Sequence, residues 1–81
     1  MFKNKAKDGK LNLSGKNIAI YRQQMKEKTS QRRLAELLQL EGIDLDKNAV
    51  QKIESGTRFV TDIELKAFAK IFETTTDALL V

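Results

Sequence analysis

The sequence predicts an all-α domain of five short helices, on three observations. Apolar residues recur at spacings of three and four nearly throughout, the period of a helix rather than the alternation of a strand. Proline is absent, and residues that favour strands are confined to threonine and a few isoleucines and valines. Ser, Thr or Asp stands ahead of the helical stretches, where a side-chain oxygen can accept from the first free backbone N–H groups.

Residues 1–12 carry Lys3, Lys5, Lys7 and Lys10 without apolar patterning and read as a flexible basic arm; residues 13–81 read as a single domain. Ser14 is placed to cap the first helix, with Leu13 positioned as a staple against Ile18. Ile18, Tyr21 and Met25 then share a face, and the charged stretch Lys26, Glu27, Lys28 ends the helix. Ser30 caps the second, in which Leu34, Ala35, Leu37 and Leu38 form one continuous apolar arc opposite Arg32, Arg33, Glu36 and Gln39. Gly42 suits a left-handed terminus for that helix. Asp46 caps the third helix, which stops at Gly56. Thr61 and Glu64 have the spacing of a capping box for the fourth, flanked by Val60 and Leu65 as a staple. Leu65, Phe68, Ala69 and Phe72 line its inner face. A short fifth helix after Thr75 brings Leu79 and Leu80 back to the core. Short helices with tight connections make an orthogonal bundle rather than an up-and-down one.

Composition narrows the function. At 81 residues and 41% hydrophobic content the chain supports one small core. Neither cysteine nor histidine occurs, which excludes disulfides, zinc fingers, thiol nucleophiles and every triad that uses imidazole. No apolar run exceeds four residues, far short of the ~20 of a membrane-spanning helix, and the lysine-rich start lacks the apolar stretch of a signal peptide. The expectation is a soluble cytoplasmic protein that is not an enzyme and uses no cofactor or metal. Asp44, Asp46 and Asn48 imitate the start of a calcium loop, but Ala49 and Ser55 stand where that loop needs glycine and glutamate. Residues 1–60 hold 13 Lys/Arg against 7 Asp/Glu, a net of +6, whereas residues 61–81 hold 2 against 4, a net of −2. Clustered cations of this kind attract a polyanionic partner.

The third helix carries the most specific chemistry. Counting about 100° per residue from Lys47, the side chains of Gln51, Ser55, Asn48 and Lys52 fall within about 140°, while Ala49, Ile53 and Val50 occupy the opposite side. The polar arc contains no carboxylate. Asn and Gln amides pair bidentately with adenine and lysine donates to guanine, so this arc suits the major groove of DNA. From periodicity alone it serves a solvated surface equally well.

Gln31-x-x-Leu34-Ala35, followed by Val50-x-x-Ile53-Glu54-Ser55-Gly56 and a helix ending at Phe72, resembles the Cro/phage-repressor (Xre-like) helix-turn-helix family over roughly Gly15 to Leu80. The string Ile53, Glu54, Gly56, Arg58 is its most specific part. The resemblance implies a lambda-repressor-like DNA-binding domain with a central helix-turn-helix, acting as a sequence-specific transcriptional regulator of double-stranded DNA, as a homodimer. It implies helix 46–55 in the major groove, with Lys47, Asn48 and Lys52 reading bases and Gln51 as an added contact. It places Gln31 at a phosphate or base edge and Ser55 and Arg58 at phosphate-side positions, and it pairs Arg22 with Glu54 as a structural ion pair. Three features depart from the pattern. The turn from Gln39 to Leu45 is long and, with the residue after it, acidic (Glu41, Asp44, Asp46); the loop from Arg22 to Gln31 is about two residues longer than usual; and Val60 replaces a common proline. The alternative function is a protein-interaction or antitoxin-like adaptor on the same fold, using Phe59, Ile63 and the C-terminal apolar run in place of DNA.

Overall fold

Five helices account for the regular structure of the computed structural model, which describes residues 9–81: α1 (Gly15–Gln23), α2 (Gln31–Leu40), α3 (Lys47–Ser55), α4 (Asp62–Ile71) and α5 (Thr76–Leu80). No strand occurs among the described residues. Lys3, Lys5 and Lys7 of the expected arm lie outside them.

Four of the five starts use the caps that the sequence offers. Ser30, Asp46, Thr61 and Thr75 each accept a hydrogen bond from the backbone N–H three residues on, and Glu64 reaches back to the Thr61 N–H to complete the capping box. The first start differs. Ser14 is buried in a helical backbone conformation and makes no side-chain cap. Asn12 Oδ1 takes that role instead, accepting from Gly15 N at 2.6 Å. Leu13 is 65% exposed, so it staples nothing, while Ile18 is fully buried.

Every helix sends at least one fully buried apolar side chain inward: Ile18 from α1, Leu34 and Leu38 from α2, Val50 and Ile53 from α3, Phe68 from α4 and Leu79 from α5. Each such burial is worth about 1.5–3 kcal/mol against exposure, so the core draws on all five elements. Tyr21 stacks on Phe72, and Phe72 on Phe68, at centroid distances of 5.5 and 6.1 Å, which closes the α1–α4 side. Leu80, expected in the core beside Leu79, is 43% exposed. A helix of five residues has one inward side, and Leu79 takes it.

The α2–α3 connection is held rather than loose. Gly42 N–H and Ile43 N–H donate to the carbonyls of Gln39 and Leu38, terminating α2. Leu45 is buried in the core, and its carbonyl accepts from Gln39 Nε2 at 3.2 Å. The turn therefore contributes a core side chain. Its acids are also partly occupied: Glu41 pairs with Lys70 at 2.8 Å, and Asp46 Oδ1 accepts from Ala49 N at 2.8 Å.

Residues 10–12 depart from the expectation of a flexible arm. Leu11 N–H donates to Gly56 O at 2.8 Å, and the side chains of Lys10 and Asn12 are bonded to the same stretch of chain. The reason is tertiary: packing brings these residues to the end of α3, whose Ser55 and Gly56 carbonyls accept from Lys10 and Leu11. No helix among the described residues is long and apolar enough to cross a membrane.

Candidate functional site

The α3 helix buries Val50 and Ile53 and leaves Lys47, Asn48, Gln51, Lys52 and Ser55 exposed on one side. Its nine residues span about 13 Å. The start is fixed by Asp46, and the finish by Gly56 at φ 82°, where Thr57 N–H and Gly56 N–H return to the carbonyls of Lys52 and Ile53. That left-handed φ suits glycine because a Cβ would crowd the following carbonyl. A Cβ here would also collide with the Lys10 side chain, which crosses Gly56 to place its ammonium on Ser55 O at 2.9 Å.

Behind the exposed face lies an ion-pair network. Arg22 Nε donates to Glu54 Oε2 at 2.7 Å and Arg22 Nη2 to Glu54 Oε1 at 3.0 Å, with the two side chains only 15% and 7% exposed. Arg22 Nη1 donates to Thr29 O, and Gln31 Nε2 adds a bond to Glu54 Oε1 at 3.0 Å. The Glu54 carboxylate thus joins α1, the first residue of α2 and the last turn of α3, and Arg22 ties in the loop after α1. The hydrogen bond from Arg22 to Glu54 holds the Arg22 guanidinium above its ordinary pKa, against the opposing effect of burial. Bidentate pairing with further donors is the arrangement in which a nearly buried ion pair is satisfied.

The site residues expected from the sequence divide into three groups. Lys47, Asn48, Gln51 and Lys52 stand together on the exposed side of α3, and neither lysine has an ion-pair partner among the described residues. Gln31 and Ser55 are partly engaged: Gln31 has one amide N–H committed to Glu54, and the Ser55 hydroxyl bonds Lys52 O and Thr57 Oγ1. Arg58 is committed to the fold. Its Nη1 and Nη2 meet Glu64 Oε1 and Oε2 at 2.9 and 3.1 Å, and Nη1 also donates to Phe59 O. The capping box holds Glu64 where it accepts the Arg58 guanidinium on both oxygens, so a phosphate contact from Arg58 would share a side chain already engaged in the fold.

Sequence reasoning missed Lys10 and Asn12, the residues that hold the end of α3. The signal for Asn12 is a side-chain acceptor three residues ahead of Gly15, masked by Ser14, a capping residue type nearer the helix. No protein-family model matches this chain, and neither does any curated protein or any solved structure.

Proposed function

We propose that the chain is a sequence-specific double-stranded DNA-binding transcriptional regulator of the lambda-repressor-like kind, in which α2 and α3 form a helix-turn-helix and α3 enters the major groove. The observation that carries this reading is the exposed side of α3, where Lys47, Asn48, Gln51 and Lys52 present donors and acceptors with no carboxylate among them. A major groove about 12 Å wide admits one helix, and Asn, Gln and Lys are among the side chains that read its base edges. The network around Glu54 supports the reading further, since it holds α3 against α1 and α2 without using any of those four side chains. The residue assignments are base contacts from Lys47, Asn48, Gln51 and Lys52, with Gln31 at a phosphate or base edge and Ser55 and Arg58 on the phosphate side. A homodimer on a two-fold site is the expected working state, because a single module of this size buries little interface.

Selection of bound sequences from a random duplex library tests the proposal. A palindromic consensus supports it in class and symmetry together, and failure to enrich any sequence counts against it. On the selected duplex, Asn48→Ala should cost about 1–3 kcal/mol and relax preference at one position. Equal weakening on every duplex would make Asn48 a phosphate contact.

A second reading, a protein-interaction or antitoxin-like adaptor, draws on the exposed apolar side chains Phe59 (51%) and Ile63 (68%) beside the α3–α4 corner. Retention of a protein partner by the wild type, lost in Ile63→Asp and with no duplex selected, would favour it.

A further inference from the structure

Residues 10–12, shortly ahead of α1, make a strap across the end of α3. Lys10 Nζ donates to Ser55 O at 2.9 Å, Leu11 N to Gly56 O at 2.8 Å, and Asn12 Nδ2 to both Ile53 O at 3.1 Å and Arg58 O at 2.8 Å. Three of these acceptors belong to the last turn and cap of α3, where the carbonyls carry the helix's partial negative charge; the Ile53 carbonyl accepts from Gly56 N–H as well as from Asn12. Asn12 is the hinge pin of the arrangement. Both of its N–H groups face α3 and the loop beyond it, while its Oδ1 caps α1 through Gly15 N at 2.6 Å. At the same point α1 and α3 meet backbone to backbone, since a Cβ on Gly15 would run into the Ile53 carbonyl. A side chain with two donors and one acceptor on a short stem is what this junction requires, and asparagine supplies it.

We propose that Asn12 is a positioning residue for α3: by joining the start of α1, the last turn of α3 and the α3–α4 loop, it sets the angle at which the Lys47–Lys52 face is presented. The consequence for base selectivity rests on the DNA-binding reading above; the consequence for helix orientation does not. Geometry makes the effect large. Pivoting a helix of about 13 Å by ~10° at one end moves the other by ~2 Å, whereas a binding constellation must be held within ~0.5 Å. Phosphate contacts carry no sequence information, so a tilted α3 loses discrimination before it loses charge attraction.

The test uses the full chain with Asn12→Asp, which keeps the acceptor for Gly15 N and turns both donors into oxygen lone pairs facing carbonyls. Residual dipolar couplings of the backbone amides report the orientation of α3 relative to α2. Binding is measured on a duplex selected by the wild type and on a scrambled duplex of the same length, at a temperature where thermal unfolding shows both proteins folded. We expect α3 to rotate by about 10° or more while α4 keeps its orientation. Affinity for the selected duplex should fall at least about tenfold, with less than about a threefold change on the scrambled one. An unchanged α3 orientation overturns the proposal outright. A rotated α3 with equal losses on both duplexes overturns the link to selectivity. Should the wild type select no duplex, the DNA-binding reading fails and the dipolar couplings alone decide the positioning role. If Asn12→Asp does not fold, Asn12→Ser retains an oxygen near Gly15 N but is too short to reach both carbonyls, and the same outcomes decide.

Discussion

Two arginine–glutamate pairs of the same chemistry sit at two corners of this molecule and serve different ends. Arg22–Glu54 joins residues 32 apart in sequence and is nearly buried, with Gln31 and the Thr29 carbonyl completing its hydrogen bonds. Arg58–Glu64 joins residues six apart, and its arginine is 31% exposed. The first pair orients α3 against α1 and α2; the second turns the chain from α3 into α4 while doubling as half of a capping box. The contrast teaches that a pair's contribution follows from what it connects and how far it is removed from water. Loss of one partner leaves the other either stranded in the interior or free to hydrate.

The largest expected effect comes from breaking the buried pair. Glu54→Ala leaves the Arg22 guanidinium without its carboxylate, and should destabilise the fold by about 3–5 kcal/mol in denaturant titration. A loss under about 1 kcal/mol would place this pair in the same class as a surface pair.

Gly15→Ala attacks the same joint without touching a charge. The added methyl meets the Ile53 carbonyl and pushes α1 from α3, so a loss of about 1–3 kcal/mol is expected from the same titration. Tolerance at wild-type stability would show that the two helices can separate there at little cost.

At the less buried corner, Glu64→Ala should cost about 1 kcal/mol, the typical size of a lost cap. Its pH dependence sharpens the contrast. Burial raises the Glu64 pKa, but hydrogen bonds from Arg58 and the Thr61 N–H, together with the charge of Arg58, outweigh it and hold the carboxyl below its usual value. A carboxyl depressed in the folded state contributes stability that is complete above its unfolded pKa of about 4.3 and is lost as pH falls through the folded value. Glu64→Gln should therefore flatten the acid limb of the stability curve below about pH 5 and leave its neutral region with a constant offset. An acid limb identical to that of the wild type would remove Glu64 from the linkage.

The smallest effect is a gain at a site remote from both pairs. Glu73 ends α4 at φ 56°, with its N–H and that of Thr74 returning to the carbonyls of Lys70 and Ala69. A side chain in that region is strained, so Glu73→Gly should raise stability by up to about 1 kcal/mol, read as a higher thermal midpoint. A lower midpoint would mean that the Glu73 side chain makes up for the strain.

What the sequence by itself determined was whatever acts within one helical turn or along one helix face. The caps Ser30, Asp46, Thr61 and Thr75 were legible, as were Gly42 and Gly56 as helix ends and the inward residues Leu34, Leu38, Val50, Ile53 and Phe68. So was the polar side of α3. Periodicity and capping are local, and an oxygen three residues from a free N–H reports itself in the string of letters. The Arg22–Glu54 contact was reachable only through the family resemblance, because nothing in the spacing of those residues points one to the other. The tertiary structure decided between Asn12 and Ser14 as the cap of α1, and it alone decided that Lys10 and Leu11 cross the end of α3, that Arg58 turns to Glu64, and that Leu45 is buried while Leu13 and Leu80 are not. These outcomes depend on which surfaces the packed elements bring together, in the case of Lys10 and Ser55 across 45 residues. A polar side chain takes whichever unsatisfied carbonyl or carboxylate the packed helices set before it, and that choice exists only once they are packed.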